Sequence, residues 1–269
     1  MPGIDAARLR TDLIPPYRVL DVVPSTGSTN ADLRDAVARG AVDKTVLIAE
    51  EQTAGVGRRA RTWSSPLGSG IYVSVLLKPG GVAFRDLGTL AVVAGLAVTD
   101  LTSELGVDAA LKWPNDVLAG PGRGKCAGIL AEAVDADGPA VVLGIGLNVR
   151  PLGPGVEPGP GALPPTSLAE QGARTTDRTE IAALLLRALA EREERWRSAG
   201  GDLDRAGLLG EYRARCETLG RPVRVLLPGE ATLTGEAVDI DLSGQLIVLG
   251  QDRRRHTVFA GDVVHVRAG

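Results

Sequence analysis

The sequence TVLIA at residues 45–49 is followed one residue later by EQTAGVGRRARTW at residues 51–63, and the fold is organised around these two segments. The first segment is apolar and rich in β-branched residues, which predicts a buried strand. In the second, two glycines leave backbone N–H groups open to a ligand, and three arginines follow within four positions. Arginine presents a planar fork of donors and stays charged, so this loop suits a phosphate or a carboxylate. The loop alone leaves a solvated basic turn open as the alternative.

Bulk composition excludes several classes of protein. The 269 residues are 44% hydrophobic and 23% charged with a net charge of −3, so no global basic character attracts nucleic acid or an anionic membrane. Cys126 and Cys216 form no CxxC pattern, which favours a reducing cytoplasm over a disulfide framework or a zinc site. The N-terminus lacks the apolar run of a signal peptide, and the apolar stretch Leu87–Leu101 is too short and too polar for a membrane span.

Up to Leu219 the sequence contains both strand and helix patterns, and from residue 220 it contains only short strand patterns. Strand patterns cover residues 17–23, 45–49, 70–77, 109–118 with a break at Pro114, 125–134 and 140–149. Helix patterns cover residues 31–39, 84–105, 179–198 and 203–218, and the first of these has Thr29 or Asn30 as its predicted N-cap. From residue 220 onward, strand patterns at 223–227, 231–240, 245–249 and 256–259 predict a small all-β module of the SH3-like type. We therefore predict an α+β fold with domains 1–219 and 220–269.

Two glycine-containing segments only partly fit nucleotide motifs. Residues 55–60 match the dinucleotide pattern in letters, but the helix that must follow is blocked by Pro66, Gly68 and Gly70. Residues 120–125 lack the first glycine of a P-loop and its hydroxyl residue. The two histidines lie in the C-terminal module without a spaced nucleophile, which favours surface or structural roles.

A specific resemblance rests on six short motifs in one order. They are STN at 28–30, QTAG at 52–55, GRR at 57–59, KWPND at 112–116, KCAGIL at 125–130 and GIGLN at 144–148. Together they resemble the biotin–protein ligases. The resemblance implies a mixed-sheet catalytic domain, related to class II aminoacyl-tRNA synthetases and lipoate ligases, with an SH3-like C-terminal domain. It also implies that biotin and ATP form biotinyl-5′-AMP, from which a lysine of a biotin carboxyl carrier domain takes the biotin.

The resemblance also assigns the site residues. The expected catalytic residues are Arg58, Lys125, Asp116 and Asn115. Biotin is expected to contact Ser28, Thr29, Gln52, Gly55, Gly57, Arg58, Lys125 and Gly128. ATP or the adenylate is expected to contact Asn30, Arg58, Arg59, Arg61, Trp63, Lys112, Asn115 and Asn148. Trp113 is expected to pack beside the site, since an indole cannot serve there as acid or base. Mg²⁺ is expected on the phosphates, but no acidic cluster identifies its protein ligands.

The resemblance also implies a protein partner, and the arginine loop differs from the family's usual loop at two positions. The carrier is expected to be the biotin carboxyl carrier domain of acetyl-CoA carboxylase or another acyl-CoA carboxylase, and the enzyme a cytoplasmic monomer or weak ligand-dependent dimer. Only 24 residues precede Ser25, which predicts no winged-helix module and no specific DNA binding. Val56 and Ala60 replace an arginine and a glycine that the family's loop often carries, and a side chain at position 60 makes a positive φ costly. A lipoate–protein ligase and a non-catalytic biotin-binding module are the alternatives.

Overall fold

The structure, a computed structural model, describes residues 3–136, 138–153, 163–227, 231–259 and 261–265. The helices are α1 (Ala6–Leu13), α2 (Thr29–Ala38), α3 (Leu90–Glu104), α4 (Arg178–Ser198) and α5 (Leu208–Arg215). The strands are β1 (Val19–Val23), β2 (Thr45–Ala49), β3 (Gly70–Leu77), β4 (Ala109–Lys112), β5 (Asp116–Ala119), β6 (Gly124–Ala136), β7 (Gly138–Asn148), β8 (Pro222–Leu226), β9 (Thr232–Ile240), β10 (Leu246–Gly250), β11 (Arg255–Val258) and β12 (Asp262–His265).

A seven-stranded sheet forms the larger part of the fold. Its strand order is β1-β2-β3-β7-β6-β5-β4, with β1 and β2 parallel and every other pair antiparallel. The predicted mixed sheet is therefore confirmed, as is the buried strand at residues 45–49. Pro114 lies in the turn between β4 and β5, where its missing N–H costs no ladder hydrogen bond.

Alternation along each strand gives the sheet two different faces. On β7, Leu143 and Ile145 join the large core that includes α3 and α4. The residues between them point the other way, because successive side chains on a strand leave opposite faces. On that second face, Leu33 and Val37 of α2 pack on a small cluster with Leu76. The helix covers only this corner, and the rest of the face is open to form a site.

Several predicted boundaries differ from the structure. The pattern at 84–105 divides into a short 3₁₀ segment, Phe84–Thr89, and α3. The pattern at 203–218 shortens to α5, because Gly207 adopts a left-handed conformation with φ of 70° and interrupts the helix. Ser28, rather than Thr29 or Asn30, is the N-cap of α2, and its side chain accepts from the N–H of Ala31. The sequence also predicts a loop over residues 150–165, where proline and glycine dominate, and a turn at residues 135–138. Residues 154–162 of this loop and residue 137 of this turn lie outside the described residues.

The segment Phe84–Glu104 is long enough and apolar enough to cross a membrane, by length and composition alone. In the fold, 72% of its most apolar window is buried inside the protein. Leu90, Val93 and Leu96 are fully covered by the rest of the chain. The segment is therefore accounted for as the central helix of the core, as a helix that is apolar on all faces predicts.

The C-terminal strands form a five-stranded antiparallel sheet in the order β11-β10-β9-β8-β12. The predicted all-β module and its first four strands are confirmed to within two residues, whereas β12 was not predicted. Val223 and Val225 of β8 belong to the same continuous core as α3. Trp113 is buried and its Nε1 donates to the carbonyl oxygen of Gly244 at 2.9 Å, so it braces the two sheets against each other. The division at residues 219 and 220 stays a prediction.

Candidate active site

A floor of glycines creates the site on the open face of the sheet. Gly128 on β6 and Gly144 and Gly146 on β7 all point to this face, and we call them the glycine floor. A Cβ added to Gly146 would lie 2.4 Å from Nε1 of Trp63, and one added to Gly128 would lie 3.0 Å from Cζ3 of the same indole. The glycines thus make room for the Trp63 indole on the sheet. A cleft of about 880 Å³, lined by this indole and by the glycine floor, lies between the sheet and the C-terminal module and is within the usual size range of ligand pockets.

One end of the cleft is lined by neutral hydrogen-bonding groups. Gln52 Oε1 accepts from the backbone N–H of Thr29 at 2.9 Å and lies 3.1 Å from the Thr29 hydroxyl. Gln52 Nε2 donates to Ser65 Oγ at 2.9 Å, which fixes the orientation of the amide. Ser28 lines the same end while capping α2. Neutral donors and acceptors held this rigidly suit a polar, uncharged ligand group.

The other end carries a lysine–aspartate group, by which we mean Lys112, Asp116 and Lys125. Lys125 Nζ lies 2.6 Å from Asp116 Oδ1, and Lys112 Nζ lies 3.9 Å from Asp116 Oδ2. Their strands β4, β5 and β6 are neighbours, so the sheet itself sets these distances. Burial lowers the pKa of Lys112, and the nearby Lys125 lowers it further while Asp116 opposes the shift. Asn115 anchors the turn beside them, because its Nδ2 donates to the carbonyl oxygen of Ile129 at 2.8 Å.

The arginine loop, residues 55–63, closes the cleft from the side of the C-terminal module. Arg59 Nη1 lies 3.2 Å and Arg61 Nη2 2.5 Å from Oδ2 of Asp262, the first residue of β12. Arg58 Nη1 lies 3.9 Å from the same carboxylate and donates to the carbonyl oxygen of Gly261 at 3.2 Å. Burial, together with repulsion from the other two arginines, lowers the pKa of Arg58, and Asp262 opposes that shift. One carboxylate thus partly neutralises three guanidinium groups.

Backbone strain is present at the tip of this loop. Arg59 has φ of 54° and Ala60 has φ of 55°, in the left-handed region that residues with a Cβ avoid. Ala60 thus adopts a positive φ in spite of its Cβ. At the base of the loop, a Cβ on Gly55 would lie 2.5 Å from the carbonyl oxygen of Trp63, so this glycine permits the loop to close on itself.

Two buried polar atoms in the cleft have no hydrogen-bond partner among the described residues: Trp63 Nε1 and Asn148 Oδ1. Asn148 is held by its other amide atom, since Nδ2 donates to the carbonyl oxygen of Thr166 at 2.9 Å. The Trp63 ring lies over the glycine floor, with Lys125 Nζ 5.2 Å from its centroid. A buried donor and a buried acceptor that have no partner in the described part of the chain, in a cleft that Lys125 also lines, are suited to a polar ligand.

The predicted site residues are brought together with few exceptions. Apart from Gly55 and Arg59, all of the predicted catalytic, biotin-binding and adenylate-binding residues line the cleft. Arg59 instead faces the C-terminal module, where its Nη2 donates to the carbonyl oxygen of Leu226 at 3.3 Å. Asn30 lies with Thr29 rather than with Asn148, and its predicted adenylate contact stays a prediction. The indole of Trp63, not an open space, lies against Gly128.

Sequence reasoning missed three residues of the site. Asp262 carries the carboxylate that faces the arginine loop. Ser74 is fully buried in an otherwise apolar strand, and Glu132 lies on the site face of β6. A polar residue in a buried strand and glycines at every second position of GIGLN were the available signals.

The described residues contain no group of three or more His, Cys, Asp and Glu side chains that could hold a metal ion. The two carboxylates that line the cleft, Asp116 and Asp262, are each already paired with cations. These donors do not fit a metal site built by the protein alone.

Comparison with known proteins agrees with the fold. Residues 21–148 match the model of the biotin/lipoate A/B protein ligase family, and residues 218–266 match that of the biotin protein ligase C-terminal domain. The larger sheet and its cleft thus define a ligase domain of the biotin/lipoate type.

Relatives with whole-length similarity narrow this class. A biotin–[acetyl-CoA-carboxylase] ligase of Mycobacterium tuberculosis is 45% identical over 99% of this chain and 97% of its own length. A biotin–[acetyl-CoA-carboxylase] ligase of Paracoccus denitrificans is 37% identical over 86% of this chain and 94% of its own length. A biotin protein ligase from Aquifex aeolicus, solved with biotin and ATP, has a TM-score of 0.74 at 26% identity and covers 94% of this chain and all of its own. The chain belongs to the biotin protein ligase family.

Proposed function

We propose that the chain is an ATP-dependent biotin–[acetyl-CoA-carboxylase] ligase. In the first step, an oxygen of the biotin carboxylate attacks the α-phosphorus of ATP, and pyrophosphate leaves. In the second, the ε-amine of a carrier lysine attacks the acyl carbon of biotinyl-5′-AMP, the amine loses a proton, and AMP leaves. The observation that carries this proposal is the layout of the cleft, which leads from the neutral pocket around Thr29 and Gln52 to the cations at Lys125 and Arg58.

The cations answer the electrostatic demand of the first step. A carboxylate and a triphosphate repel each other, and negative charge accumulates around phosphorus in the transition state. We assign Lys125 to the biotin carboxylate and the α-phosphate, and Arg58 to retention of the adenylate. Lys125 is held by Asp116 at 2.6 Å and therefore needs little reorganisation when the substrates bind.

The second step requires removal of a proton. A free lysine amine has a pKa of about 10.4 and must be deprotonated before it attacks. We assign this role to Asp116, whose carboxylate lines the cleft and is oriented by Lys125 and Lys112. Asn115 has its Nδ2 engaged with Ile129, so its Oδ1 remains to orient the incoming amine.

The remaining contacts are those of the adenylate and of Mg²⁺. Asn148 Oδ1 and Trp63 Nε1, both buried without partners in the described part of the chain, supply an acceptor and a donor for the adenylate. We propose that Mg²⁺ enters with the ATP phosphates, since the described carboxylates form no metal site and Mg²⁺ commonly binds through substrate phosphates and water.

The protein partner is the biotin carrier domain of a carboxylase. We further propose that the enzyme works in the cytoplasm as a monomer or weak ligand-dependent dimer and binds no specific DNA sequence. Sedimentation with and without biotin and ATP tests the oligomeric state. A sequence-selective shift of an operator fragment would contradict the last point.

The experiment that tests the function combines two assays. Biotin-dependent exchange of labelled pyrophosphate into ATP reports the first step. Mass spectrometry of a purified carrier domain, offered either biotin or lipoate, reports the second. We expect a biotinyl mass increment on one lysine and none from lipoate. A lipoyl increment would favour the lipoate–protein ligase alternative, and biotin binding without exchange would favour the non-catalytic one.

A further inference from the structure

A chain of side-chain hydrogen bonds runs under the neutral end of the cleft and out to the surface. Asn30 Nδ2 donates to Glu132 Oε2 at 2.7 Å, and Asn30 Oδ1 lies 2.5 Å from Ser74 Oγ. Ser74 Oγ in turn lies 2.7 Å from Thr29 Oγ1. Thr29, Asn30 and Ser74 are buried, while Glu132 is about one-quarter exposed and pairs with Arg34 at the surface. We call these four residues, Glu132, Asn30, Ser74 and Thr29, the polar chain.

The carboxylate at the surface end fixes the orientation of the Asn30 amide. An ionised carboxylate only accepts hydrogen bonds, so the Asn30 NH₂ group must face Glu132. The carbonyl oxygen of Leu130, 3.4 Å from the same Nδ2, is a second acceptor on that side. The amide oxygen of Asn30 must then face Ser74. Gly144 makes room for this arrangement, since a Cβ there would lie 2.3 Å from Asn30 Oδ1.

The direction of each remaining proton follows from this orientation. Two oxygens 2.5 Å apart need a proton between them, and the Asn30 oxygen has none, so Ser74 donates to Asn30. Ser74 has a single proton and therefore accepts from Thr29 at 2.7 Å, which is shorter than the 3.1 Å from the Thr29 hydroxyl to its other acceptor, Gln52 Oε1. The Thr29 hydroxyl has then spent its own proton, and it can offer only lone pairs to the cleft.

We infer that Glu132 is a positioning residue that sets the hydrogen-bond polarity of the ligand pocket, so that Thr29 accepts from an N–H group of the ligand. This inference rests on the proposed function: with the biotin carboxylate at Lys125, the cyclic urea at the other end of biotin falls in the neutral pocket around Thr29 and Gln52. Gln52 Oε1 lies beside Thr29 and is also an acceptor, since its own NH₂ group faces Ser65. A ring that presents N–H groups is matched, whereas a ring oxygen at the same place meets lone pairs.

The decisive substitution is Glu132→Gln in the full-length enzyme. A glutamine can present either an acceptor or a donor, so Asn30 can flip and the polar chain can reverse, opposed only by the long contact of Asn30 Nδ2 with the carbonyl oxygen of Leu130 at 3.4 Å. We expect the KM for biotin to rise about tenfold, as the loss of one hydrogen bond predicts, with the KM for ATP and kcat within about twofold. Arg34→Met is the matched control, because it breaks the surface ion pair and leaves the carboxylate in place. That variant should behave like the wild type.

A pair of analogues separates polarity from simple loss of structure. The probes are the two cyclic carbamates in which one or the other ring N–H of biotin is replaced by oxygen. Wild-type enzyme should reject at least one isomer about tenfold or more relative to biotin, and Glu132→Gln should reduce that ratio to about twofold. An unchanged ratio, or equal losses for biotin and both carbamates, overturns the inference.

A second variant keeps the inference testable if Glu132→Gln does not fold. Ser74→Ala removes the link between Asn30 and Thr29, so the Thr29 hydroxyl can rotate and donate to a ring oxygen. The preference for biotin over the rejected carbamate should fall in Ser74→Ala. Adding Glu132→Gln to this variant should change that preference no further. Full discrimination in Ser74→Ala overturns the inference. If wild-type enzyme transfers no biotin to the carrier, the proposed function fails instead.

Discussion

The lysine–aspartate group and the arginine loop both set cations around a carboxylate, but they are supported differently. Lys112, Asp116 and Lys125 lie on three neighbouring strands, and their side chains are 11%, 17% and 26% exposed. The arginines are 25%, 38% and 54% exposed, and their carboxylate belongs to β12, some 200 positions later in the chain. A cation held by a sheet is ready before the substrate arrives. A cation held by a strained loop can move, so we expect the first group to govern chemistry and the second to govern retention of the adenylate.

The largest effect is expected from breaking the fixed group. Asp116→Asn removes the carboxylate that orients Lys125 and accepts the proton, so transfer to the carrier should slow by about 100-fold or more, the usual scale of general base catalysis. Adenylation should slow much less. Single-turnover rates of pyrophosphate release and of carrier labelling measure the two steps separately. Asp21→Asn, an exposed strand position paired with Arg10, is the control. Equal slowing of both steps would contradict the assignment.

Breaking the loop should release the intermediate without stopping its formation. Arg58→Gly removes a partly buried, charge-assisted donor, so the lifetime of bound biotinyl-5′-AMP should shorten by about 30-fold, equivalent to about 2 kcal/mol. Circular dichroism should show an unchanged fold, and bystander lysines should become labelled. Arg59→Gly is the matched control, because Arg59 lies outside the cleft lining and already has a positive φ. Unchanged selectivity for the carrier in Arg58→Gly would show that the lid role is misassigned.

Removing the carboxylate behind the loop tests the contribution of the C-terminal module. Two of the ion pairs of Asp262 involve half-exposed arginines, and such pairs contribute less than about 1 kcal/mol each. Asp262→Asn should therefore shorten the lifetime of the adenylate only about threefold to fivefold. Asp239→Asn is the matched control. Asp239 on β9 also forms an ion pair between the C-terminal sheet and the rest of the chain, with Arg213 on α5, but this pair does not involve the arginine loop. Equal effects of Asp262→Asn and Asp239→Asn on the lifetime of the adenylate would show that Asp262 acts only by holding the two sheets together.

A pH prediction concerns the same strand, β12. Burial lowers the pKa of His265 to about 4, and the neighbouring charges of Lys112 and Arg221 act in the same direction. Its ring also meets the Thr218 hydroxyl at 3.2 Å. The unfolded state binds the proton at a higher pH than the fold does, so stability should be lost as pH falls from about 6.5 toward 4.

The expected size of this loss is about 1 kcal/mol, because the ring is only half buried and solvent screens part of the shift. Urea unfolding at pH 7.5 and pH 5 measures it in the wild type and in His265→Gln. The wild type should lose more stability on acidification than the variant does. Identical losses would place the pH response elsewhere.

The smallest effect is expected from relieving strain at the loop tip. Ala60→Gly removes the cost of a left-handed Cβ, about 1 kcal/mol, but adds freedom to the unfolded chain, so the net gain should be about 0.5 kcal/mol. Ala83→Gly is the control, since Ala83 has an ordinary φ of −71° and should lose stability. Urea midpoints compare the two. If Ala60→Gly and Ala83→Gly lose the same amount of stability, the positive φ of Ala60 carries no conformational cost.

Local patterns explain why much of the fold was predictable. The apolar run of β3, the alternation in β7 and the periodicity of the long helix α4 are all patterns of consecutive residues, so the positions of these elements followed from the sequence alone. β12 was missed because its four residues, Asp262–His265, carry only two valines as a signal. The site motifs were found because each is short and continuous.

The remaining parts of the site depend on contacts between distant residues. Asp262 meets an arginine loop some 200 positions earlier, and Asn30 meets Glu132 across 102 positions. Such pairs depend on the order of strands in the sheet and on how the second sheet packs, and neither is encoded in a local pattern. The glycines of β7 were part of a recognised motif, but their common direction became visible only with the strand pairing.

The glycine floor has one further consequence, for insertions and deletions. Gly144, Gly146 and Asn148 face the cleft only because β7 is in its present register with β3 and β6. Deleting a single residue near the start of β7 would turn Leu143, Ile145 and Leu147 toward the substrate and the glycines toward α3. The cleft would be filled and the core emptied by the same event. Because successive side chains of a strand leave opposite faces, a change in the length of β7 alters every position of both faces at once.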